Sequence, residues 1–414
     1  MLMNSPASSQ KMKRQIKHGP DSLINQILDQ QPQFFDSILK NSDRKVQIIY
    51  TQIDRDKENR PTFTDYYLNV NKANYFYPAS TVKLPVAVLA LQRLNELGIK
   101  GLDENTTMIT EADGEGETVA YNDPTTKDGR PNIAHYIKKI LLASDNDASN
   151  RLYEFLGQEY INNSLHKMGF KDVQIIHRLD ISLSEQQNRR TNPVRFIDSN
   201  SNIVYEQAAT TSKLKYANRD TKLGKGFFRD GELVNEPFDF SVKNRLTLQD
   251  LHEILRSLLF PNGLPGKKKF RLRPDDYAFL YNYMSIYPSE SMYPYYDSSK
   301  VSDTHVKFLF YGAGQGAPLS HIRIFNKIGN AYGFLTDAAY IVDFKNNIEF
   351  MLSATIYCDS DGIYNDDRYE YDNVGFPFLK NLGLAIYEYE LKRSRKNVPD
   401  LSEFRFDWSK RDGK

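Results

Sequence analysis

Tyr77-Pro78-Ala79-Ser80-Thr81-Val82-Lys83-Leu84-Pro85 is the stretch on which the reading of this chain turns. Ser80 opens a Ser-x-x-Lys tetrad at the head of an apolar run that continues to Leu97 and stops at Gly98. Val82, Leu84, Val86, Val88, Leu89, Leu91 and Leu94 make the run apolar nearly all round, the pattern of a central buried helix. Pro85 fits only a first turn, so the helix starts near Ser80. Residues three apart share a helix face, which puts the Lys83 amine within reach of the Ser80 hydroxyl. A serine hydroxyl is a poor nucleophile until a base takes its proton. A lysine can act as that base if burial and nearby cations hold it neutral. The unpaired N–H groups of a helix start, including that of Ser80, suit a developing oxyanion.

The tetrad alone carries little weight, because the same pattern begins at Ser8, Ser37, Ser42, Ser164 and Ser212. A capping serine followed by a solvated lysine would also explain it. Two further elements give it meaning. Ser144-Asp145-Asn146 occurs once, between helices expected over 133–143 and 147–156. Lys327-Ile328-Gly329 ends an apolar strand that starts at Ile322. In this order the three elements suit a serine nucleophile, Ser80, with a lysine base, Lys83. Ser144 would pass a proton toward the leaving nitrogen and Asn146 would hold a substrate amide. Lys327 would bind a substrate carboxylate. Gly329 would let a ligand approach the backbone closely, and Asn330 would offer a second oxyanion N–H.

Composition narrows the alternatives. The 54 basic and 53 acidic residues nearly cancel, so charge gives no reason to expect nucleic acid or an anionic membrane as partner. In 414 residues, 40% hydrophobic content supports a substantial core. Cys358 is the sole cysteine and ends an apolar run from Phe350, which reads as a buried, inert thiol with no internal disulfide. His252-Glu253 is not followed by the second histidine of a zinc-protease motif. The mechanism requires neither a metal nor an organic cofactor. Met1 to Lys17 is polar and shows neither a leader-type apolar segment nor a membrane span.

Periodicity sets out the rest. Helices are expected over 22–39, 81–97, 133–143, 147–156, 158–167, 247–259, 274–284 and 373–391. Strands are expected over 46–53, 65–70, 322–328, 333–342 and 348–357. Ile181 to Lys243 is polar and irregular, and reads as a long insertion or active-site loop. The expected fold is α/β (α+β): an antiparallel sheet built from both chain ends and flanked by helices, plus an all-helical subdomain. The expected division is a disordered arm over 1–20, one catalytic domain over 21–400 and a tail over 401–414. Within the domain, 21–75 and 320–395 would form the sheet part. Residues 76–319 would form the helical part, with the insertion at 181–243.

The sequence resembles the class A β-lactamase family, within the wider superfamily of penicillin-binding and serine-peptidase proteins. The likeness runs from about Val46 to Leu391. Tyr77 to Pro85 is similar to that family's nucleophile segment, Leu141 to Asn150 to its second motif, and Arg178-Leu179-Asp180 to the lead into its omega loop. The resemblance implies Ser80 as nucleophile, Lys83 as base, Ser144 as proton shuttle, Asn146 as amide contact and Lys327 as carboxylate-binding cation. It also implies an exported or periplasmic monomer whose substrate is a β-lactam or a peptidoglycan-like peptide. Two departures stand out. Ile328 supplies no hydroxyl where the third motif usually has one. Leu183 occupies the place of the family's deacylating glutamate, and Glu185, two residues on, is the nearest carboxylate to take over. Acylation at Ser80 is therefore expected, with turnover depending on Glu185. A penicillin-binding DD-peptidase or carboxypeptidase, and a catalytically silent binder of peptidoglycan peptides, are the alternatives.

Overall fold

The computed structural model describes residues 22–217, 219–263 and 268–409. The arm expected over 1–20 and the last residues of the tail lie outside the described residues. The first expected helix is two, α1 (Ser22–Leu28) and α2 (Pro32–Leu39). Pro32 has no N–H to continue α1 and instead opens α2, where that N–H is not needed. A hairpin of β1 (Gln47–Arg55) and β2 (Pro61–Leu68) follows. The turn bearing Ser80 then leads into α3 (Lys83–Leu97), which ends at Gly98 with a left-handed φ of 59°.

After β3 (Thr107–Thr110) come α4 (Ile133–Ala143) and α5 (Asn146–Lys167). The two helices expected over 147–167 are one element, interrupted where Gly157 adopts φ 73° and ψ 156°. A short α6 (Glu185–Arg189) follows. The stretch 181–243, read as irregular, then folds into small strands. These are β4 (Val194–Ile197), β5 (Ile203–Gln207), β6 (Lys222–Leu223), β7 (Gly226–Arg229), β8 (Glu232–Val234) and β9 (Phe238–Asp239). Helices α7 (Leu248–Leu259) and α8 (Pro274–Ser285) return the chain to the core. The long strands β10 (Ile322–Ala331), β11 (Phe334–Asp343) and β12 (Ile348–Tyr357) precede a short β13 (Ile363–Tyr364) and α9 (Phe376–Lys392).

The main sheet has the order β10-β11-β12-β1-β2 and is antiparallel throughout. The pairing of β12 with β1 joins the two ends of the chain. Every residue of β11 and β12 is buried, so the sheet is covered on both faces. Alternation divides them: Tyr340 and Met351 face a core shared with α3, α4, α5, α7 and α8, while Ile341 and Phe350 face one shared with α1, α2 and α9. Fully burying one such side chain contributes roughly 1.5–3 kcal/mol. The segment read as a tail from 401 contributes to the first of these cores. Leu401 and Phe404 are buried there, and the Phe404 ring lies 4.8 Å from that of Tyr340.

Helix α7 is tied to the sheet by a buried polar cluster. His252 bonds Ser353 Oγ through Nδ1 and Thr51 Oγ1 through Nε2, each at 2.8 Å, and Arg256 pairs with Asp65. All five residues are shut off from solvent, so this serine–histidine contact serves packing. No helix among the described residues is long and apolar enough to cross a membrane.

Candidate active site

Ser80 lies on a single 3₁₀ turn, Ala79–Val82, that feeds α3. Thr81 secures the turn: its N–H and its Oγ1 both donate to the Pro78 carbonyl, at 3.0 and 2.7 Å. Ala79 has φ 47°, a left-handed conformation that costs a non-glycine residue about 1–3 kcal/mol. Ala79, Thr81 and Val82 are buried, while Ser80 is half-buried and lines two adjoining cavities.

Two lysines meet behind the serine. Lys83 is fully buried, and its ammonium donates to the Ser144 carbonyl, to Asn146 Oδ1 at 2.6 Å and to Ser144 Oγ at 3.4 Å. Lys327, on β10, donates to Ser144 Oγ at 2.7 Å and to the Ile328 carbonyl at 3.1 Å. Ser144 reaches both because it ends α4 in a left-handed conformation, φ 57°, and Asp145 then caps α5 by accepting from Ala148 N at 2.8 Å. Among the described residues no hydrogen bond joins Lys83 to Ser80, and the Lys83 ammonium turns instead to Ser144 and Asn146.

Burial pushes the Lys83 amine down to about 7, against the opposing pull of Asp145 and Asp180. Lys327 is also held well below the usual lysine range, first by burial and then by the Lys83 charge, with Asp337 opposing. A lysine near 7 can take a proton at neutral pH.

Strand β10 brings Lys327, Gly329 and Asn330 to the serine. Gly329 also has a packing reason to be glycine. A Cβ built there would lie 2.5 Å from the Pro78 carbonyl oxygen, so the close approach is that of the nucleophile's own turn, with no ligand needed to explain it. Asn330 is exposed and lines both cavities. Ile328 faces away from Lys327, toward Val306, Phe308 and Phe376 in the smaller cavity. His305 stands in that cavity too, and burial and the Lys327 charge lower its affinity for a proton.

Glu185 is the one expected residue that the structure sets apart. It opens α6 with its side chain 65% exposed, bonds Arg189 at 2.8 Å and lines neither cavity. The lead into its loop is rigid. Asn150 exchanges two hydrogen bonds of 2.8 Å with the Leu179 backbone, and buried Arg178 pairs with Glu154 at 2.9 Å. The clamp delivers Asp180 into the larger cavity, where its Oδ2 accepts from Asn146 Nδ2 at 3.2 Å. Asp180 was visible in the Arg-Leu-Asp lead, but nothing in the sequence marked Asn365, Asp367 or Tyr369, which line the same cavity.

A profile described as the beta-lactamase enzyme family matches residues 33–269, more than half of the sequence and inclusive of Ser80, Lys83 and Ser144. The chain belongs to that family. Lys327 lies beyond the matched stretch. Comparison with curated protein sequences returns no match. Among solved structures, similar ones include a β-lactamase from Desulfarculus baarsii, 15% identical, with a TM-score of 0.45 over 88% of this chain and 98% of the other. A class A β-lactamase from Mycobacterium abscessus is 13% identical, with a TM-score of 0.45 over 86% and 98%. PBP-A is 15% identical, with a TM-score of 0.46 over 88% and 97%.

Proposed function

We propose that this β-lactamase-family protein is an exported serine acyl-transfer enzyme of the class A type, acylated at Ser80 by β-lactams and by the related amide of a peptidoglycan-like peptide. The convergence of Lys83 and Lys327 on Ser144 beside Ser80 supports this reading most directly. In the proposed sequence Lys83, about half neutral at pH 7 and more so above it, takes the Ser80 proton by way of Ser144 as Oγ attacks the carbonyl carbon. The Ser80 and Asn330 N–H groups hold the oxyanion. The tetrahedral intermediate collapses when Ser144 delivers a proton to the leaving nitrogen. Lys327 holds the substrate carboxylate, whose negative charge offsets the positive charge of the buried lysine.

Hydrolysis of the acyl-enzyme needs a second base to activate water. The remote position of Glu185 and the apolar Leu183 favour a slow second step. The protein then behaves toward β-lactams as a penicillin-binding peptidase does. Intact-mass spectrometry after incubation with penicillins and cephalosporins tests the reading. A mass increase of one β-lactam that maps to Ser80 and decays slowly is expected. Rapid turnover without an adduct would favour an efficient β-lactamase, and neither adduct nor turnover would favour a silent binding protein.

A further inference from the structure

The larger cavity before Ser80, about 350 Å³, runs between the loop after Leu179 and the loop after β13. Its far side carries two carboxylates, Asp180 and Asp367, together with Asn365 and the rings of Tyr77, Tyr332 and Tyr369. Among the described residues that line it there is no lysine, arginine or histidine. Asp180 accepts from Asn146, while Asp367 has no hydrogen bond or ion pair with any described residue. Lys243 stands over the Phe238 and Tyr332 rings, 5.6 and 5.9 Å from their centres, and does not line the cavity. The smaller cavity that Ser80 also lines has Ser144, His305 and the shared Asn146 and Asn330 as its other polar residues, and carries no carboxylate among the described residues.

The Asp367 side of this wall is braced by the insertion. Strand β13 pairs in parallel with β7. Lys225 N and Gly226 N donate to the Gly362 carbonyl at 2.7 and 3.3 Å, and Asn365 Nδ2 donates to the Phe228 carbonyl at 3.3 Å. Asn365 N donates to Tyr369 Oη at 2.8 Å, which ties the loop across its base. Tyr364 packs against Phe238 and Phe240 of the insertion. Asp367 itself sits at φ 59°, a conformation Asp and Asn tolerate better than other residues do. The stretch 219–243 therefore holds Asp367 at the mouth of the Ser80 cavity.

We infer that the acyl donor of this enzyme carries a positively charged group on its acyl side, an ammonium or similar cation, which is received by Asp367 and Asp180 against the tyrosine rings. A cation gains from the carboxylates, whereas an anion is repelled. The inference rests on the reading of Ser80 as nucleophile.

Three penicillins that differ only at the side-chain α-position provide the test: benzylpenicillin, its α-amino analogue and its α-carboxy analogue. Ser80 acylation is followed by intact mass at low ionic strength and at a pH where the amine is protonated. Protonation of Lys83 there slows all three alike. The amino analogue is expected to react about 1.5-fold to fivefold faster than benzylpenicillin and the carboxy analogue more slowly, a range set by solvent-exposed ion pairs. High salt should compress the order, a measurement that needs no variant. In Asp367→Asn the amino-to-neutral ratio should fall toward one while benzylpenicillin still labels. Equal rates for the three penicillins with the wild-type protein, or a ratio that survives Asp367→Asn, would overturn the inference. Absence of labelling by all three would instead overturn the Ser80 reading, and the inference with it.

Discussion

Gly329 lies directly against Pro78: a Cβ on the glycine would stand 2.5 Å from the Pro78 carbonyl oxygen and 3.0 Å from Thr81 Cγ2. The third motif and the nucleophile turn are thus packed backbone to backbone. Gly329→Ala forces that turn to move. The expected result is a loss of about 1–3 kcal/mol of stability, the range for overpacking a close contact. Ser80 acylation should slow as well. Thermal melting and labelling kinetics check both, and a variant that melts and labels like wild type would mean that the turn yields without consequence.

Ser80→Ala should abolish covalent labelling and leave the fold intact. The hydroxyl projects from a turn whose fixing bonds belong to Thr81 and Pro78. Circular dichroism should be unchanged. Labelling by a penicillin at the wild-type rate would place the nucleophile elsewhere.

The acylation rate should follow the state of Lys83. The group acts as a base, so its neutral form is the active one. With its proton affinity pushed down to about 7, the rate should rise as pH increases through that value and level off above it. An esterified β-lactam should show the same rising limb, since Lys327 has no carboxylate to hold there. A rate independent of pH between 6 and 8 would remove Lys83 as the base.

Much of the frame was legible because burial leaves a strong signature. The run from Val82 to Leu97 announced a central helix, and the fully buried β12 lies over 348–357 as expected. The sheet closing through both chain ends followed from strands at either end of the sequence. The insertion was not legible. Its strands span two to five residues and carry exposed side chains, as in Glu232 and Leu233 of β8, too short for a period of two to rise above the polar background. The end of the chain misled for a different reason: Leu401 and Phe404 are isolated apolar residues whose burial depends on a pocket made by Tyr281, Phe325 and Tyr340. At the site, the motifs identified Ser80, Lys83, Ser144 and Lys327 as side chains to examine. That Lys83 turns to Ser144 and Asn146 is a matter of three dimensions that helix spacing alone does not decide.

Lys327→Ala tests the anion receptor. Loss of a charge-assisted contact should weaken acylation by carboxylated β-lactams by about 1–3 kcal/mol. The esterified analogue should lose less. Lys327 also donates to Ser144 Oγ at 2.7 Å, so an equal loss for both substrates would show that it acts through Ser144.

If Ser80 is acylated as proposed, the fate of the acyl-enzyme turns on a second base. In the proposed mechanism the acylating groups are Ser80, Lys83 and Ser144. Water activation needs a further base, and a positioned one is typically worth roughly 10²–10⁴ in rate. Leu183 has no such chemistry. Glu185 has it, yet the side chain faces solvent and is engaged by Arg189 at 2.8 Å. Bringing it to Ser80 would require unwinding α6, whose start is fixed by reciprocal bonds between Ser184 and Gln187. The wild-type protein should therefore accumulate a long-lived adduct, and Glu185→Gln should leave the lifetime of that adduct unchanged when followed by intact mass. Of the two carboxylates that line the cavity, Asp180 is the one bonded to Asn146, at 3.2 Å. If the adduct instead decays quickly and Glu185→Gln does not slow it, Asp180→Asn should, which would identify Asp180 as the base. A marked lengthening of the lifetime in Glu185→Gln would show that α6 rearranges once Ser80 is acylated.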